Sequence, residues 1–309
     1  MKMRFRLFLV ALLAALGLPA IPLRAQPGCV QPPAGVIAWW QAEGNANDAF
    51  GSHQGSLLNG ASCVAGKVGQ AFSFDGSDDV VEVPDSPAWD FITNNFTIEF
   101  WVKFNRIKDS MFIYQQQGTV AGGFEFDYQT SANQLIFARD PSHAAAIVSW
   151  LPQTNVWYHL AVTRSDQTYS VYVNGQLLGN PATDPNPIAD ASGPIRLGNY
   201  TVNRYALDGL LDEMTLYNRW LSATEITNVF AAGIEGKCSL PVLTIAPAAP
   251  GAVSVAWPAP NSGFRLQQNG NLATTNWSTT TNTVNLINGR NQVLISPLPT
   301  NRFYRLVKP

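Results

Sequence analysis

Carboxylates, aromatic rings and three histidines are the side chains here with the chemistry for catalysis or recognition. Glu125-Phe126-Asp127 alternates as a strand does, so both carboxylates project from one face. A retaining glycosidase needs two carboxyls about 5–5.5 Å apart, one as nucleophile and one as acid/base. Asp75, Asp78 and Asp79 crowd a Gly-containing turn and offer oxygens to calcium. Asp in such turns also serves simply by bonding its own backbone. Gly198-Asn199-Tyr200-Thr201-Val202-Asn203-Arg204-Tyr205 interleaves rings with amide and guanidinium groups. Sugars stack their C–H faces on such rings and hydrogen-bond to such neighbours. Tyr200, Asn203, Arg204 and Tyr205 are therefore the expected ligand-binding residues, in a loop, where binding commonly resides. Tyr114 with Gln115-Gln116-Gln117, Tyr128 and Trp150 are further candidates. His53, His143 and His159 fall into no organised motif, and His159 reads as structural. No Gly-x-Ser-x-Gly elbow, His-Glu-x-x-His pair or phosphate-binding loop is present.

These groups sit in a chain of 309 residues with 46% hydrophobic and only 13% charged side chains. Length allows two domains, and the acidic balance gives no footprint for nucleic acid. Residues 1–25 read as a secretory signal peptide. Lys2, Arg4 and Arg6 precede an apolar run from Leu7 to Leu18, and Leu23-Arg24-Ala25 offers cleavage before Gln26. That run is too short to span a bilayer, which takes about 20 residues. The expected location is secreted, where disulfides are permitted. Residues 26–239 hold all 21 acidic side chains, whereas residues 240–309 hold five basic ones and no acid. This shift places a domain boundary near 239–245 and confines carboxylate chemistry to the first domain. Cys29 and Cys238 flank that domain and are expected to pair. So long a loop would stabilise by up to about 4–5 kcal/mol in the entropic estimate. Cys63 is left over as a small, unreactive apolar residue.

The positioning elements are almost all strands. Phe96, Ile98, Phe100, Val102 and Phe104 alternate with Thr97, Glu99, Trp101 and Lys103, which predicts a strand with one core face. Strands are also predicted at 157–164 and 169–173, with Asn174-Gly175 making a type I′ hairpin turn. Shorter ones are predicted at 36–40, 70–75, 79–83, 111–115, 123–128, 134–138, 194–198 and 208–217. This pattern argues for an antiparallel sandwich or jelly roll. One helix is expected over 223–231. Ser222 and Glu225 form its capping box, Leu221 and Ile226 its hydrophobic staple, and Gly233 its end.

The order of segments resembles the laminin-G-like, concanavalin-A-like jelly-roll domains of secreted bacterial proteins. It is carried by Ala38-Trp39-Trp40 with Glu43-Gly44, Gly69 to Gly76 with Asp78-Asp79, Phe96 to Val102, Trp157 to Thr163, Val171 to Gly175, and Leu211-Asp212-Glu213 with Tyr217-Asn218-Arg219. The resemblance covers roughly 36–236 and implies two face-to-face antiparallel sheets. It also implies a structural calcium between Asp48, in the loop Asn45 to Gly51, and Asp212. Concanavalin-A-like endoglucanases use Glu-x-Asp-x-x-Glu. Here the second Glu is missing after Asp127, so catalysis is not expected. Trp39, Trp40, Trp101 and Trp157 fall in the family's strand signatures and read as packing.

Residues 240–309 read as a smaller β-sandwich, with strands at 242–245, 253–257, 264–267, 283–286, 292–295 and 303–307. It resembles a fibronectin-III-like domain. The whole is an all-β protein expected to act as a secreted, non-catalytic module recognising carbohydrate or a cell-surface partner. The alternatives are a structural or adhesive spacer, or a glycan-active hydrolase. A sugar module wants Tyr200 and Tyr205 exposed beside a groove, a spacer wants both packed, and a hydrolase wants Glu125 paired in a groove.

Overall fold

The computed structural model describes residues 29–50, 52–115, 122–140, 142–200, 205–238, 243–258, 264–287, 290–296 and 302–307. The expected signal peptide, Asn203 and Arg204 lie outside them. Strands before the helix are β1 (Val36–Trp40), β2 (Ser56–Leu58), β3 (Ser62–Ala65), β4 (Gln70–Asp75), β5 (Val80–Val83), β6 (Phe96–Phe104), β7 (Ser110–Gln115) and β8 (Phe124–Gln129). They continue with β9 (Gln134–Asp140), β10 (His143–Ser149), β11 (Trp157–Ser165), β12 (Thr168–Val173), β13 (Gln176–Thr183), β14 (Ile195–Leu197) and β15 (Asp208–Tyr217). Helix α1 (Ala223–Ala232) follows.

Two antiparallel sheets form a sandwich. One runs β13-β12-β11-β6-β15-β4-β3, with β1 also paired to β15; the other runs β10-β9-β8-β7-β14-β5-β2. Alternate residues from both sheets, among them Phe72, Phe96, Phe100, Phe112, Phe126 and Phe137, meet in one aromatic core, as facing sheets require. Asn174 and Gly175 take positive φ at the β12–β13 hairpin, the conformation a type I′ turn needs. A bulge between Asp212 and Thr215 puts Glu213 at φ +58°. The extra residue keeps Leu211 and Met214 both in the core, and β15 passes from pairing with β4 to pairing with β1.

The pattern of β6 predicts one core face, but both faces are covered. Thr97, Glu99 and Trp101 are buried as fully as their apolar neighbours. The cover is α1 and the segment behind it. Ser222 and Glu225 complete the capping box. Leu221 and Ile226 join Trp39, Tyr172 and Tyr217 in a second apolar cluster on this outer face. Phe230 packs on Trp101 at 5.7 Å between ring centroids. Beneath lies a fully buried ionic group. Lys237 Nζ is 3.0 Å from Glu99 Oε1 and 3.2 Å from Glu213 Oε2. Glu99 also meets His159 Nε2 and accepts from the Tyr217 hydroxyl, each at 3.1 Å. Next to Lys237, Cys238 is disulfide-bonded to Cys29, as the flanking positions predict. Val30 and Lys237 form a parallel bridge, so the two ends of the sandwich lie together.

After it come β16 (Thr244–Ala249), β17 (Ala252–Pro258), β18 (Arg265–Asn269), β19 (Ser278–Thr279), β20 (Asn285–Ile287), β21 (Arg290–Ile295) and β22 (Phe303–Val307). They make a four-stranded and a three-stranded sheet around a separate core of Val255, Trp257, Leu266, Val293 and Ile295. No described helix is long and apolar enough to cross a membrane.

The buried ionic group yields a test. Burial works against ionisation of Glu99, but Lys237 and His159 overcome it and hold its pKa at about 2. A depressed carboxyl stabilises above its unfolded pKa and loses that contribution as pH falls toward the folded value. Lys237→Met, which leaves two buried carboxylates without their cation, should cost roughly 3–5 kcal/mol at pH 7. Urea unfolding at pH 7 and pH 3 should show that penalty shrinking in acid.

Candidate functional site

With one sheet covered by α1, the outer face of the other is where polar side chains gather. Val81 and Val83, Ile195 and Leu197, Ile113, and Phe124 and Phe126 all enter the core. Their alternates Glu82, Arg196, Tyr114 and Glu125 fall side by side across β5, β14, β7 and β8. Arg196 Nε donates to Glu82 at 3.1 Å. Tyr114 hydrogen-bonds Tyr200, and burial together with that bond pushes its hydroxyl pKa well up.

The loop after β14 closes one side of this row. Gly198 has φ +82°, and a Cβ there would come within 2.3 Å of the Phe74 ring, so only glycine lets the chain turn here. The turn delivers Asn199 and Tyr200. The Tyr200 ring lies 4.4 Å from Tyr114 and 6.2 Å from Tyr205. A cleft of about 310 Å3 opens beside it, lined by Asn59, Asp78, Glu82, Arg196, Asn199 and Tyr200, with Leu58 and Val80 as the apolar part of the wall. Tyr200 is half-buried on the cleft wall, and Tyr205 is half-buried behind it. Neither simple expectation for these rings, free exposure or full packing, describes them. Tyr128 and Trp150, offered above as sugar platforms, are corrected. Both rings are core, packed on each other and on Phe104.

The carboxylates divide into three groups. Glu125 and Asp127 share the outer face, as the alternation predicts, but neither lines the cleft, and both are buried. Asp127 accepts from Gln129 Nε2 at 3.1 Å while its Oδ1 has no partner. Burial raises its pKa to about 7. Asp48 is engaged on both oxygens. Oδ1 accepts from the backbone of Trp39 and Phe50, and Oδ2 from the backbone of His53 and its ring Nδ1. Asp212 Oδ2 instead accepts from the Lys67 and Val68 amides, with Oδ1 unpartnered. Burial lifts its pKa to about 8. The two share no partner among the described residues, and both Asp48 oxygens are taken up by N–H donors. The expected calcium between Asp48 and Asp212 finds no converging ligand group there among the described residues. Asp75, Asp78 and Asp79 do converge, with ligand oxygens all within 4.8 Å of one another. Among the described residues this cluster could hold a metal ion. It adjoins the cleft through Asp78.

Sequence reasoning finds Tyr200 and the Asp75–Asp79 turn but misses Glu82, Arg196 and the part Asn199 plays. Arg196 between two apolar strand residues signals an outward charge; nothing local says that Glu82 lies opposite. His53, His143 and His159 bond Asp48, Asp140 and Glu99. Cys63 is partly buried, and desolvation pushes its thiol pKa up.

Asp127 gives a test of these electrostatics. A carboxyl whose folded pKa is raised stabilises below its unfolded pKa, and that contribution is lost as pH rises toward about 7. Asp127→Asn should match the parent at pH 4 and exceed its urea midpoint at pH 8.

Residues 75–227 match the concanavalin A-like lectin/glucanases superfamily of laminin-G domains. No curated protein matches the sequence. Domain 4 of AbnA, an extracellular arabinanase from Geobacillus stearothermophilus solved with arabinotriose, superposes with TM-score 0.52 at 19% identity, over 63% of this chain and 97% of that one. Trypanosoma rangeli sialidase gives 0.52 at 19% identity, over 70% of this chain and 35% of the sialidase. The binding domain of Paraclostridial Mosquitocidal Protein 1 gives 0.53 at 15%, over 82% and 65%. The chain thus spans about a third of the sialidase, and at these identities the likeness is one of fold. Residues 75–227 are thus similar to that family, and the fold is a laminin-G/concanavalin-A-like β-sandwich followed by a separate smaller β region.

Proposed function

We propose that the protein is a secreted, non-catalytic module that binds carbohydrate in the Tyr200 cleft. The observation that carries this is the composition of the cleft wall. One aromatic ring, Tyr200, stands beside amides from Asn59 and Asn199, the Asp78 carboxylate and the Glu82–Arg196 pair. A ring gives a sugar a face to stack on, and the fixed polar groups orient its hydroxyls, the usual division in small-ligand sites. Tyr114 and Tyr205 pack against that ring. Capture of arabinotriose by the arabinanase domain is consistent with this use of the fold. The Cys29–Cys238 disulfide fits an oxidising, extracellular setting. In this reading residues 240–309 are a fibronectin-III-like companion domain. Catalysis has little support: Gln129, not a second carboxylate, bonds Asp127, and Glu125 lies outside the cleft lining.

A glycan array, followed by calorimetry on the best hit, tests the reading. Tyr200→Ala should weaken binding at least about tenfold, or ~1.4 kcal/mol. Tyr205→Ala, at a residue outside the cleft lining, should cost less. Silence across the array from protein with a normal melting transition would overturn the reading in favour of a spacer or protein-adhesion role.

A further inference from the structure

The three-stranded sheet of the smaller β region turns Leu266, Tyr304 and Leu306 toward its core. By alternation, Arg265 and Gln267 on β18 and Phe303, Arg305 and Val307 on β22 take the outer face. The register pairs Gln267 with Arg305 and Arg265 with Val307. Arg265 and Arg305 are therefore diagonal neighbours across the two strands, about 7–8 Å apart. Arg265, Phe303 and Arg305 are exposed, so the face is open.

Arg305 is held in place on this face. Its guanidinium carbon lies 4.3 Å from the centroid of the Trp277 ring, a cation–π stack. Its Nε donates to Gln267 Oε1 at 2.9 Å. These contacts use one flat side of the guanidinium and its Nε–H. The edge formed by Nη1 and Nη2 is used by neither, and such an edge takes a carboxylate through two parallel hydrogen bonds. Freedom that an anion would otherwise have to remove on binding is already gone. Residues 240–309 hold no Asp or Glu, and every ion pair among the described residues lies within residues 48–237. No described side chain supplies the countercharge for Arg265 and Arg305.

We propose that this outer face, centred on Arg305, binds an acidic polysaccharide whose sugars carry carboxylates. The guanidinium fork takes one carboxylate. Phe303, two residues before Arg305 on the same face of β22 and 37% exposed, offers a ring to the C–H face of the sugar. Arg265, one diagonal step away, meets the carboxylate of another unit, so a polymer gains over a single sugar acid. A single-stranded nucleic acid matches the face less well. Its bases stack on successive aromatic rings, and Trp277 already carries Arg305 on its ring. An acidic peptide would bring carboxylates but no ring face for Phe303. None of these residues lines the Tyr200 cleft, and the proposal stands whether or not that cleft binds a glycan.

The experiment is calorimetric titration of the full chain at low salt with polygalacturonate, its carboxyl-reduced neutral form, polyglutamate and single-stranded DNA. Polygalacturonate should bind saturably and more tightly than the other three, and should weaken as salt rises. Arg305→Lys keeps the charge but loses the fork and the stack, and should weaken polygalacturonate at least about tenfold. Arg265→Gln should weaken it several-fold. Both positions are exposed, so the melting temperature of each variant should stay at the parent value. The proposal is overturned by no saturable binding of polygalacturonate, by polyglutamate, DNA or the neutral polymer binding as tightly, or by an unchanged affinity in Arg305→Lys. It is also overturned if the protein alone self-associates at low salt and Arg305→Lys abolishes this, which would give the face to the acidic sandwich of a second copy.

Discussion

The ammonium of Lys237, buried against Glu99 and Glu213, is the interaction that the architecture hangs on. Both carboxylates are taken out of water under α1, a step that costs several kcal/mol and that only close countercharge or hydrogen bonds repay. The pair therefore obliges the segment after the helix to cross the sheet at this point. That crossing brings Cys238 beside Cys29 and sets Val30 alongside Lys237. His159 and Tyr217 complete the coordination of Glu99 from neighbouring strands, so four separate parts of the chain meet at one carboxylate. Breaking such a group is costly because it leaves a charge buried without its partner.

Covering this sheet on both faces decides where function can lie. The eight-stranded sheet has no outer surface left at its centre, so its polar alternates become structural. The seven-stranded sheet keeps an outward row from Glu82 to Glu125, and the loop carrying Tyr200 folds over one end of it. The same residue type thus does opposite work on the two sheets. Glu99 is a buried structural anion, while Glu82, one third exposed, helps to form a cleft wall.

Much of the fold was legible locally. Alternation places β6, β11 and β12, Asn174-Gly175 places the β12–β13 hairpin, and Ser222 with Glu225 places α1, because each depends on neighbours within a few residues. The short strands β2, β3 and β10 were not legible. Ser56–Leu58 and Ser62–Ala65 are too brief to show a period, and His143–Ser149 blurs its alternation with three consecutive alanines. The second buried face of β6 was hidden for another reason. Glu99 reads as part of a polar face until a helix more than a hundred residues later is laid on it.

At the site the division is sharper. The sequence by itself determined which chemistry is on offer: an acidic domain with a disulfide at its ends, a turn rich in aspartate, and an aromatic–amide loop. Only the tertiary structure decided which of these meet. Asp48 and Asp212 keep separate partners, Tyr128 and Trp150 go to the core, and Asn199 comes to rest on the Asp75–Asp79 turn 120 residues away. The physical reason is that side-chain type is a local property. Convergence is set by the register and twist of strands paired across the whole chain.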